Sequence, residues 1–479
     1  GTTYGFAELA TLPPDRCYRG YQERVPIRTY RQFWDDWFGP HLSTSHQGQQ
    51  LVLQDLTWPG LIPWLCETSG TTAPTKFIPF TREMFSMNQR AALDMLCCYL
   101  SREPSSAVPG GKILYMAGST QLKDMGNGVL AGDMSAITLT KRPAWLDRYV
   151  EPQEPLASAA WGERLQGMAR LLLEDRAIRI LSGVPPWILL LLKQVEQLSG
   201  KPFRTAVPNL ELIIHGGTSM APYRGEFERV LPDSGVRFLE LLPSSEAFMG
   251  FQVHGEPTMR LTPYYGVFFE FVPIKQLDET GAPSADAVAV PLQEVEIGQR
   301  YAVILSSCAG LWRYHIGDTV RFLDTDHFGI EFTGRDKFLD RFEEKVTQAE
   351  VEQAVAVVNA RHQDLVREFM VGPDIVNRRH LWILACRAGA ASPGAVSDLL
   401  DRQLRRSNAD YDTFRQQARI GQPQVLLVSE QTIYDWSREV RGKLGGQSKI
   451  PHIDPTLTGE LVQSLAVFSD SAGLSTVSN

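Results

Sequence analysis

The 479-residue sequence contains four short segments whose residue types and spacing could do chemistry, and the first of them is rich in hydroxyls. It reads Thr68-Ser-Gly-Thr-Thr72 and is followed by Lys76. A glycine turn exposes backbone N–H groups, hydroxyls add further donors and a lysine adds positive charge, a combination that can hold the oxygens of a polyphosphate. The spacing differs from the GxxxxGKS/T loop of the common nucleoside triphosphatases. Taken alone, the segment is at least as typical of an ordinary hydroxyl-rich turn.

The second and third segments each contain a candidate carboxylate. Pro243-Ser-Ser-Glu246 follows a predicted strand over residues 236–241, and ligands of α/β domains usually bind at the carboxyl ends of strands. Oxygen ligands such as Glu246 suit Mg²⁺. Asp318 ends the segment Leu311-Trp-Arg-Tyr-His-Ile-Gly-Asp318 and could accept both hydroxyls of a ribose. A serine that caps a helix explains the second segment equally well, and a plain turn explains the third.

The fourth segment, Gly442-Lys-Leu-Gly-Gly-Gln-Ser-Lys449, places a lysine on a glycine-rich stretch late in the chain. Lys449 could swing toward a reacting phosphate or carboxylate, although most segments of this kind are solvated loops. The order of the segments favours activation of a carboxylic acid by ATP. Attack of a carboxylate on the α-phosphate brings anions together, so cationic side chains and magnesium should supply most of the rate.

The helices and strands that the sequence predicts around these residues indicate an α/β fold. Helices are predicted over residues 82–101, 161–180 and 186–198, and short strands over 212–214, 236–241, 267–272, 301–305 and 319–323. Later, Thr347-Gln-Ala-Glu350 is a capping box that predicts a helix through residue 358, followed by strands over 381–386 and 425–428. We expect a large, sheet-rich N-terminal domain over residues 1–333 and a small, mobile C-terminal α/β domain over residues 334–479. The segment Gly334-Arg-Asp336 is the expected hinge.

Composition narrows the classes of partner. The 47 basic and 55 acidic residues give a net charge of -8, which argues against a general nucleic-acid binder. No apolar stretch approaches the roughly 20 residues that span a bilayer, and no signal segment is recognised at the start. The six cysteines form neither a CxxC pair nor a zinc pattern, which is typical of free thiols in a reducing compartment. We therefore expect a cytoplasmic monomer that binds neither membrane nor nucleic acid.

Together the motifs resemble those of the acyl-acid amido synthetases of the Gretchen Hagen type, also called auxin-responsive promoter proteins, within the adenylate-forming superfamily. The resemblance extends over nearly the whole chain. It is carried by Thr68-Ser-Gly-Thr-Thr-Ala-Pro-Thr-Lys76, Pro208-Asn-Leu-Glu-Leu-Ile-Ile-His-Gly-Gly217, Ser244-Ser-Glu246, Tyr314-His-Ile-Gly-Asp318 and Lys443-Leu-Gly-Gly-Gln-Ser-Lys-Ile-Pro451. The last of these is similar to the compact bacterial branch of the family.

The resemblance implies a ligase that uses ATP and Mg²⁺ to adenylate a carboxylic acid, releases pyrophosphate and AMP, and passes the acyl group to the amine of an amino acid or a similar amine. It also implies a small domain that rotates between the two half-reactions. Two alternatives stay open. The acceptor could instead be a thiol, from coenzyme A or a carrier protein, or the chain could be a non-catalytic relative that binds a ligand.

The resemblance also implies roles for individual residues. Glu246 would bind Mg²⁺, Asp318 the ribose, and Arg335 would act near the hinge. Lys345 would act near the nucleotide and Lys449 would approach the phosphates or the acyl carboxylate, so that Glu246, Lys345 and Lys449 form the catalytic set. The residues that would hold the ATP phosphates are Thr68, Ser69, Thr71 and Thr72. Those that would flank the adenine are Gly217, Leu242, Pro243, Ser244 and Ser245.

Three departures from the family pattern leave the affinity for ATP open. Leu242 replaces a tyrosine that packs on the base, His315 replaces an arginine and could add pH sensitivity, and Ala73-Pro74 stiffens the end of the first loop. The acyl pocket is expected between the helices over 161–198 and the strands after residue 111. Its candidate residues, each of which could equally be plain core, are Tyr115, Met116, Val184, Trp187 and Leu190. An apolar lining would suit an aryl or aliphatic acid, with an indole acid, a benzoate, a fatty acid and a biosynthetic intermediate all open.

Overall fold

The computed structural model describes residue 2 and residues 17–45, 48–68, 76–117, 120–154, 156–159, 161–232, 235–278, 280–335, 339, 342, 344, 346–386, 391–441 and 450–454. The chain forms two compact units. The first comprises residues 1–109, 117–148 and 238–336, and the second comprises residues 110–116, 149–237 and 337–479. The proposed domain boundary after residue 333 and the mobility of the C-terminal part stay predictions.

The elements confirm the mixed α/β class. The α-helices are α1 (Cys17–Arg24), α2 (Tyr30–Phe33), α3 (Arg82–Arg102), α4 (Met134–Lys141), α5 (Trp161–Glu174), α6 (Pro185–Ser199), α7 (Phe203–Ala206), α8 (Arg224–Val230), α9 (Gln348–Arg361), α10 (Pro393–Ser407), α11 (Ala409–Gln416) and α12 (Glu430–Arg441). The strands are β1 (Leu42–Ser45), β2 (Gly48–Leu51), β3 (Trp64–Thr68), β4 (Lys76–Phe80), β5 (Lys112–Tyr115), β6 (Lys123–Asp124), β7 (Leu130–Gly132), β8 (Val150–Glu151), β9 (Ile178–Gly183), β10 (Leu212–Gly216), β11 (Arg237–Pro243), β12 (Phe248–Gln252), β13 (Met259–Leu261), β14 (Val267–Pro273), β15 (Val290–Pro291), β16 (Arg300–Ser307), β17 (Leu311–Phe322), β18 (Gly329–Arg335), β19 (Val366–Asp374), β20 (Arg379–Cys386) and β21 (Gln424–Val428).

The first unit is built mainly from antiparallel strands. Eight of them follow the order β15-β14-β16-β17-β18-β13-β12-β11, and a smaller sheet follows the order β4-β3-β7-β6. Seven of the eight residues of β16 are buried, which is why residues 301–305 of this strand are continuously apolar instead of alternating. Phe271, Tyr301 and Phe322 pack edge to face in the core, with the Phe271 and Phe322 ring centroids 5.0 Å apart.

A buried ion pair fixes the N-terminal helix to this sheet. Arg313 Nε lies 2.9 Å from Glu270 Oε2, and both side chains are buried. The guanidinium also donates to the backbone oxygens of Gln22, which lies within α1, and of Val25, which directly follows it. Because all of these donors and acceptors are paired, the charges are tolerated in the core.

The second unit combines two sheets with flanking helices. The parallel sheet has the order β10-β9-β5-β8 and packs against α6, while the other has the order β19-β20-β21 and packs against α9, α10 and α12. Helix α6 begins with two prolines, whose missing N–H groups cost nothing in a first turn, and ends at Gly200 with φ of 64°. The capping box at Thr347 and Glu350 is confirmed, with both reciprocal hydrogen bonds present.

Most predicted elements are confirmed, with one correction. The helix predicted over residues 161–180 is wrong at its end, because α5 stops at Glu174 and residues 178–183 form β9. The β-branched Ile178 and Ile180 gain more by packing in the centre of the parallel sheet than by continuing the helix. The five cysteines whose side chains the structure describes are free thiols, as expected. Among the described residues, no helix combines the length and apolar character that crossing a membrane requires.

Candidate active site

The first candidate segment begins at the end of a hairpin in the first unit where its two strands are connected. Strands β3 and β4 are antiparallel, and their register pairs Thr68 directly with Lys76. Lys76 Nζ lies 5.2 Å from the centroid of the Tyr30 ring, a favourable cation–π contact, and Tyr30 Oη accepts a hydrogen bond from the N–H of Phe77 at 2.9 Å. The hairpin therefore places Thr68 and Lys76 side by side, at the two ends of the segment that connects its strands. Ser69, Thr71 and Thr72 lie outside the described residues.

The Ser-Ser-Glu segment forms a strand-to-strand turn between β11 and β12. The N–H of Ser244 donates to the Ala247 oxygen at 2.9 Å, and the N–H of Ala247 donates to Ser244 Oγ at 3.0 Å. A helix capped by serine, the competing interpretation of this sequence, is therefore wrong. Leu242 is buried on β11 opposite Gly250, and Pro243 pairs with Phe248 at an irregularity of the register.

Glu246 is held inside this turn, away from solvent. Its side chain is buried, and its backbone oxygen accepts a hydrogen bond from Ser307 Oγ at 3.0 Å. Burial raises the pKa of the Glu246 carboxyl; the nearby Arg335 charge opposes this shift and the Asp318 carboxylate adds to it. Lys76 also acts to lower this pKa. Two carboxylates and two cations of the first unit thus share one neighbourhood.

Asp318 and Arg335 are brought together by the pairing of β17 with β18. The register places the two residues opposite each other, and Arg335 Nη1 lies 2.8 Å from Asp318 Oδ1. Arg335 Nη2 also donates to the backbone oxygen of Ile316 at 3.3 Å. The aspartate is buried, whereas the arginine side chain is about half exposed to solvent.

Three neighbours complete this part of the first unit. Burial lowers the pKa of His315 to about 4, with the charges of Arg335 and Lys76 acting in the same direction. His315 is thus neutral at neutral pH, and the pH sensitivity expected from it is confined to acid conditions. Tyr314 is buried beside Glu246, and Cys66 is buried with a hydrogen bond to Ser245. Sequence reasoning missed Cys66, although its place two residues before Thr68 on β3 is the signal that could have pointed to it.

The other predicted residues fall in the second unit or outside the description. Gly217 directly follows β10 and has φ of 84°, a conformation that favours glycine. Tyr115 ends β5, Met116 follows it, and Val184, Trp187 and Leu190 lie at the start and along the first turns of α6. Val184 and Trp187 line a cavity, described below, which Tyr115, Met116 and Leu190 do not line. Lys345 and Lys449 lie outside the described residues.

Three domain models of one protein family match most of this chain. Models of the N-terminal, central and C-terminal domains of the GH3 family match residues 1–197, 261–335 and 348–455. The chain belongs to the GH3 family. A solved GH3 structure, the GH3.15 acyl acid amido synthetase, has the same fold: the TM-score is 0.76 at 19% identity, covering 97% of this chain and 90% of that one.

Two curated GH3 relatives match shorter stretches. The indole-3-acetic acid-amido synthetase GH3.8 of Oryza sativa subsp. indica is 32% identical over 126 residues, which are 24% of this chain and 20% of that protein. The jasmonoyl--L-amino acid synthetase JAR6 of Nicotiana attenuata is 27% identical over 266 residues, 51% of this chain and 43% of that protein. The chain therefore matches less than half the length of each of these GH3 relatives.

Proposed function

We propose that this GH3 protein is an ATP-dependent acyl-acid amido synthetase. It adenylates a carboxylic acid and then transfers the acyl group to the amine of an amino acid or a similar amine. The observation that carries the proposal is the cluster of the first unit in which buried Glu246 and Asp318 lie near Arg335 and Lys76. The names of the two curated relatives, both amido or amino acid synthetases, support the same reaction.

The charges of this cluster suit adenylation. In the first half-reaction an oxygen of the acid attacks the α-phosphorus of ATP and pyrophosphate leaves. Attacking and leaving groups are both anionic, so Lys76 and Arg335 lower the repulsion between them. In the second half-reaction the amine nitrogen attacks the acyl carbonyl, AMP leaves and the amine loses a proton.

Glu246 is suited to bind Mg²⁺ as a ligand. Mg²⁺ is usually bound through one or two carboxylates together with substrate phosphates, and Glu246 supplies a hard oxygen donor in the right neighbourhood. The Asp318 carboxylate contributes to raising the pKa of Glu246, and a divalent cation would relieve this repulsion. When bound, Mg²⁺ would neutralise phosphate charge. The ribose hydroxyls would donate hydrogen bonds to the Asp318 oxygens and would replace part of the ion pair with Arg335.

The remaining roles are proposed on the family pattern. The phosphates would lie against Thr68, Ser69, Thr71 and Thr72, and the adenine against Gly217, Leu242, Pro243, Ser244 and Ser245. Lys345 and Lys449 would act on the nucleotide and the reacting groups. The acyl pocket would use Tyr115, Met116, Val184, Trp187 and Leu190. Met116 is fully buried and packs closely against Gly183, where an added Cβ would lie 3.0 Å from the Met116 Cβ. This apolar lining favours an aryl or aliphatic acid.

A product screen tests the function directly. The purified chain is incubated with ATP, Mg²⁺, a panel of carboxylic acids and the twenty common amino acids, and the products are identified by mass spectrometry, with reactions lacking ATP as the control. The proposal predicts an amide together with AMP and pyrophosphate. A thioester formed with added coenzyme A, without any amide, would establish the thiol-transfer alternative, and absence of pyrophosphate release with every acid would refute adenylation.

A further inference from the structure

The second unit contains a small cavity at the first turn of α6. Its volume is about 10 Å³, which is room for one water-sized group. Apolar and aromatic side chains form part of the wall, and a buried carboxylate, an imidazole and hydroxyls form the rest. The lining residues are Val184, Pro186, Trp187, Thr218, Tyr223, Glu368, Tyr434, Ile450 and His452.

The charged groups at this wall, together with Glu352 behind it, are negative overall. His452 lies between two buried carboxylates, with Nδ1 2.7 Å from Glu352 Oε1 and Nε2 3.3 Å from Glu368 Oε1. Burial alone would lower the pKa of His452, but the hydrogen bonds to both carboxylates raise it to about 9. The imidazolium thus neutralises only one of the two acids. The next cation along β19, Arg367, pairs with Glu226 and Glu430, which do not line the cavity.

The aromatic part of the wall adds two features that suit a cation. The ring centroids of Trp187 and Tyr434, which both line the cavity, lie 5.6 Å apart, and a cation against the face of either ring would be attracted by it. The buried hydroxyl of Tyr223 makes no hydrogen bond of good geometry with any described group. Burial, together with the nearby Glu368 carboxylate, raises the pKa of Tyr223, so the group stays a neutral phenol that can accept a hydrogen bond. The hydroxyl thus lies close to the Glu368 carboxylate without a well-aligned bond to it, and a ligand between the two groups would satisfy both.

We propose that this cavity binds the primary ammonium group of the amine substrate, with Glu368 as its counter-charge and Tyr223 Oη as a second acceptor. The size of the cavity admits an ammonium group and excludes a guanidinium or a trimethylammonium group, while its negative charge excludes a carboxylate. The inference rests on the proposed function for the identity of the ligand. Val184 and Trp187 belong both to the proposed acyl pocket and to this cavity. The two sites are expected to adjoin, because the attacking amine must reach the acyl carbonyl.

Steady-state kinetics of matched carboxylate variants test this site. The probe is whichever amino acid gives the most amide in the product screen. Glu368→Gln should raise its KM about 10- to 100-fold, the usual effect of losing a hydrogen bond to a charged group, and leave the KM for the acid in ATP–pyrophosphate exchange within about twofold. Glu352→Gln removes the acid on the other side of His452, which does not line the cavity, and should raise the KM of the amine less than Glu368→Gln does. Tyr223→Phe, which removes only the hydroxyl, should raise that KM about 3- to 10-fold.

A binding measurement separates this inference from the proposed function. The melting temperature of the full chain is compared in methylammonium chloride and in tetramethylammonium chloride at equal ionic strength. Methylammonium should raise the melting temperature of the wild type more than tetramethylammonium does, even if no acid is adenylated. The increase in Tyr223→Phe should be smaller. The ammonium site would be overturned if the two salts act equally on the wild type. It would equally be overturned if Glu368→Gln raises the KM of the acid in place of the amine, or if Glu368→Gln and Glu352→Gln shift the KM of the amine by the same factor.

Discussion

Arg335 and Asp318 face each other across the β17–β18 pair, with Nη1 of the arginine 2.8 Å from Oδ1 of the aspartate. The sequence motifs suggested separate roles for them, one at the ribose and the other at a hinge. Their contact means that the proposed ribose acceptor is oriented by a residue of the expected hinge. Binding of ATP at Asp318 and the position of Arg335 should therefore be coupled.

Replacing Arg335 by lysine tests this coupling. Lysine keeps the charge but loses the planar fork that bonds both Asp318 and the oxygen of Ile316. Because Arg335 is half exposed, we expect a moderate effect, a decrease of about 3- to 10-fold in kcat/KM for ATP. The measurement is ATP–pyrophosphate exchange with the acid identified in the product screen. Arg321→Lys, on the same strand as Asp318 and paired with Glu331, is the matched control; equal losses in the two variants would show that Arg335 has no special role.

The stability of the protein should fall in acid because of His315. Its pKa is about 4 in the folded chain and about 6.5 when exposed, so the unfolded state binds the proton more readily between these values. Stability that is present above pH 6.5 is therefore lost as pH falls through 4, by up to about 3 kcal/mol. Urea unfolding of the wild type and of His315→Gln between pH 7 and pH 4 should show a smaller loss in the variant. His327→Gln, at an exposed histidine, should behave like the wild type.

His452 should act in the opposite direction. Its pKa is raised to about 9, so the folded state holds the proton more tightly than the unfolded state. The contribution is fully present below pH 6.5, amounts to about 3 kcal/mol, and is lost as pH rises through 9. The difference in unfolding free energy between the wild type and His452→Gln should therefore shrink from pH 6 to pH 10. A difference that stays constant over this range would mean that the imidazolium adds nothing to stability.

Gly250 is required by the close approach of β12 and β13. A Cβ at this position would lie 2.6 Å from the backbone oxygen of Arg260, a distance that only backbone movement can relieve. We expect Gly250→Ala to lower the free energy of unfolding by about 1–3 kcal/mol and to reduce pyrophosphate exchange, because β12 directly follows the turn that holds Glu246. Gly162→Ala is the control: on α5, a Cβ there meets nothing within 4 Å and should stabilise the helix slightly. Normal unfolding of Gly250→Ala would show that the strands separate at little cost.

Local sequence signals predicted much of the fold. The capping box at Thr347 and the prolines at the start of α6 define helix ends through bonds within one turn, and both are confirmed. Short apolar runs correctly indicated the strands β10, β14, β16, β20 and β21. The overlong helix at residues 161–180 failed because Ile178 and Ile180 are stabilised by neighbouring strands, which local sequence does not reveal.

The candidate site was predictable only in part. Motif order pointed to Glu246 and Asp318, but the contact between Asp318 and Arg335 depends on the register of two strands. The contacts of His452 also could not be predicted locally, because it bonds Glu352 on α9, which is 100 positions away in the sequence. Charged residues at such separations carry no periodic signal. Their contacts depend on the order and register of the strands, which only the structure shows.

The central claim is that Glu246 serves adenylation, and acid-dependent ATP–pyrophosphate exchange in Glu246→Gln tests it most directly. The substitution keeps the size of this buried side chain but removes its charge, and Glu331→Gln on β18 is the matched surface control. We expect exchange to fall by about 100- to 1000-fold in Glu246→Gln, while Glu331→Gln stays near the wild-type rate. Near-normal exchange in a folded Glu246→Gln protein would contradict the account.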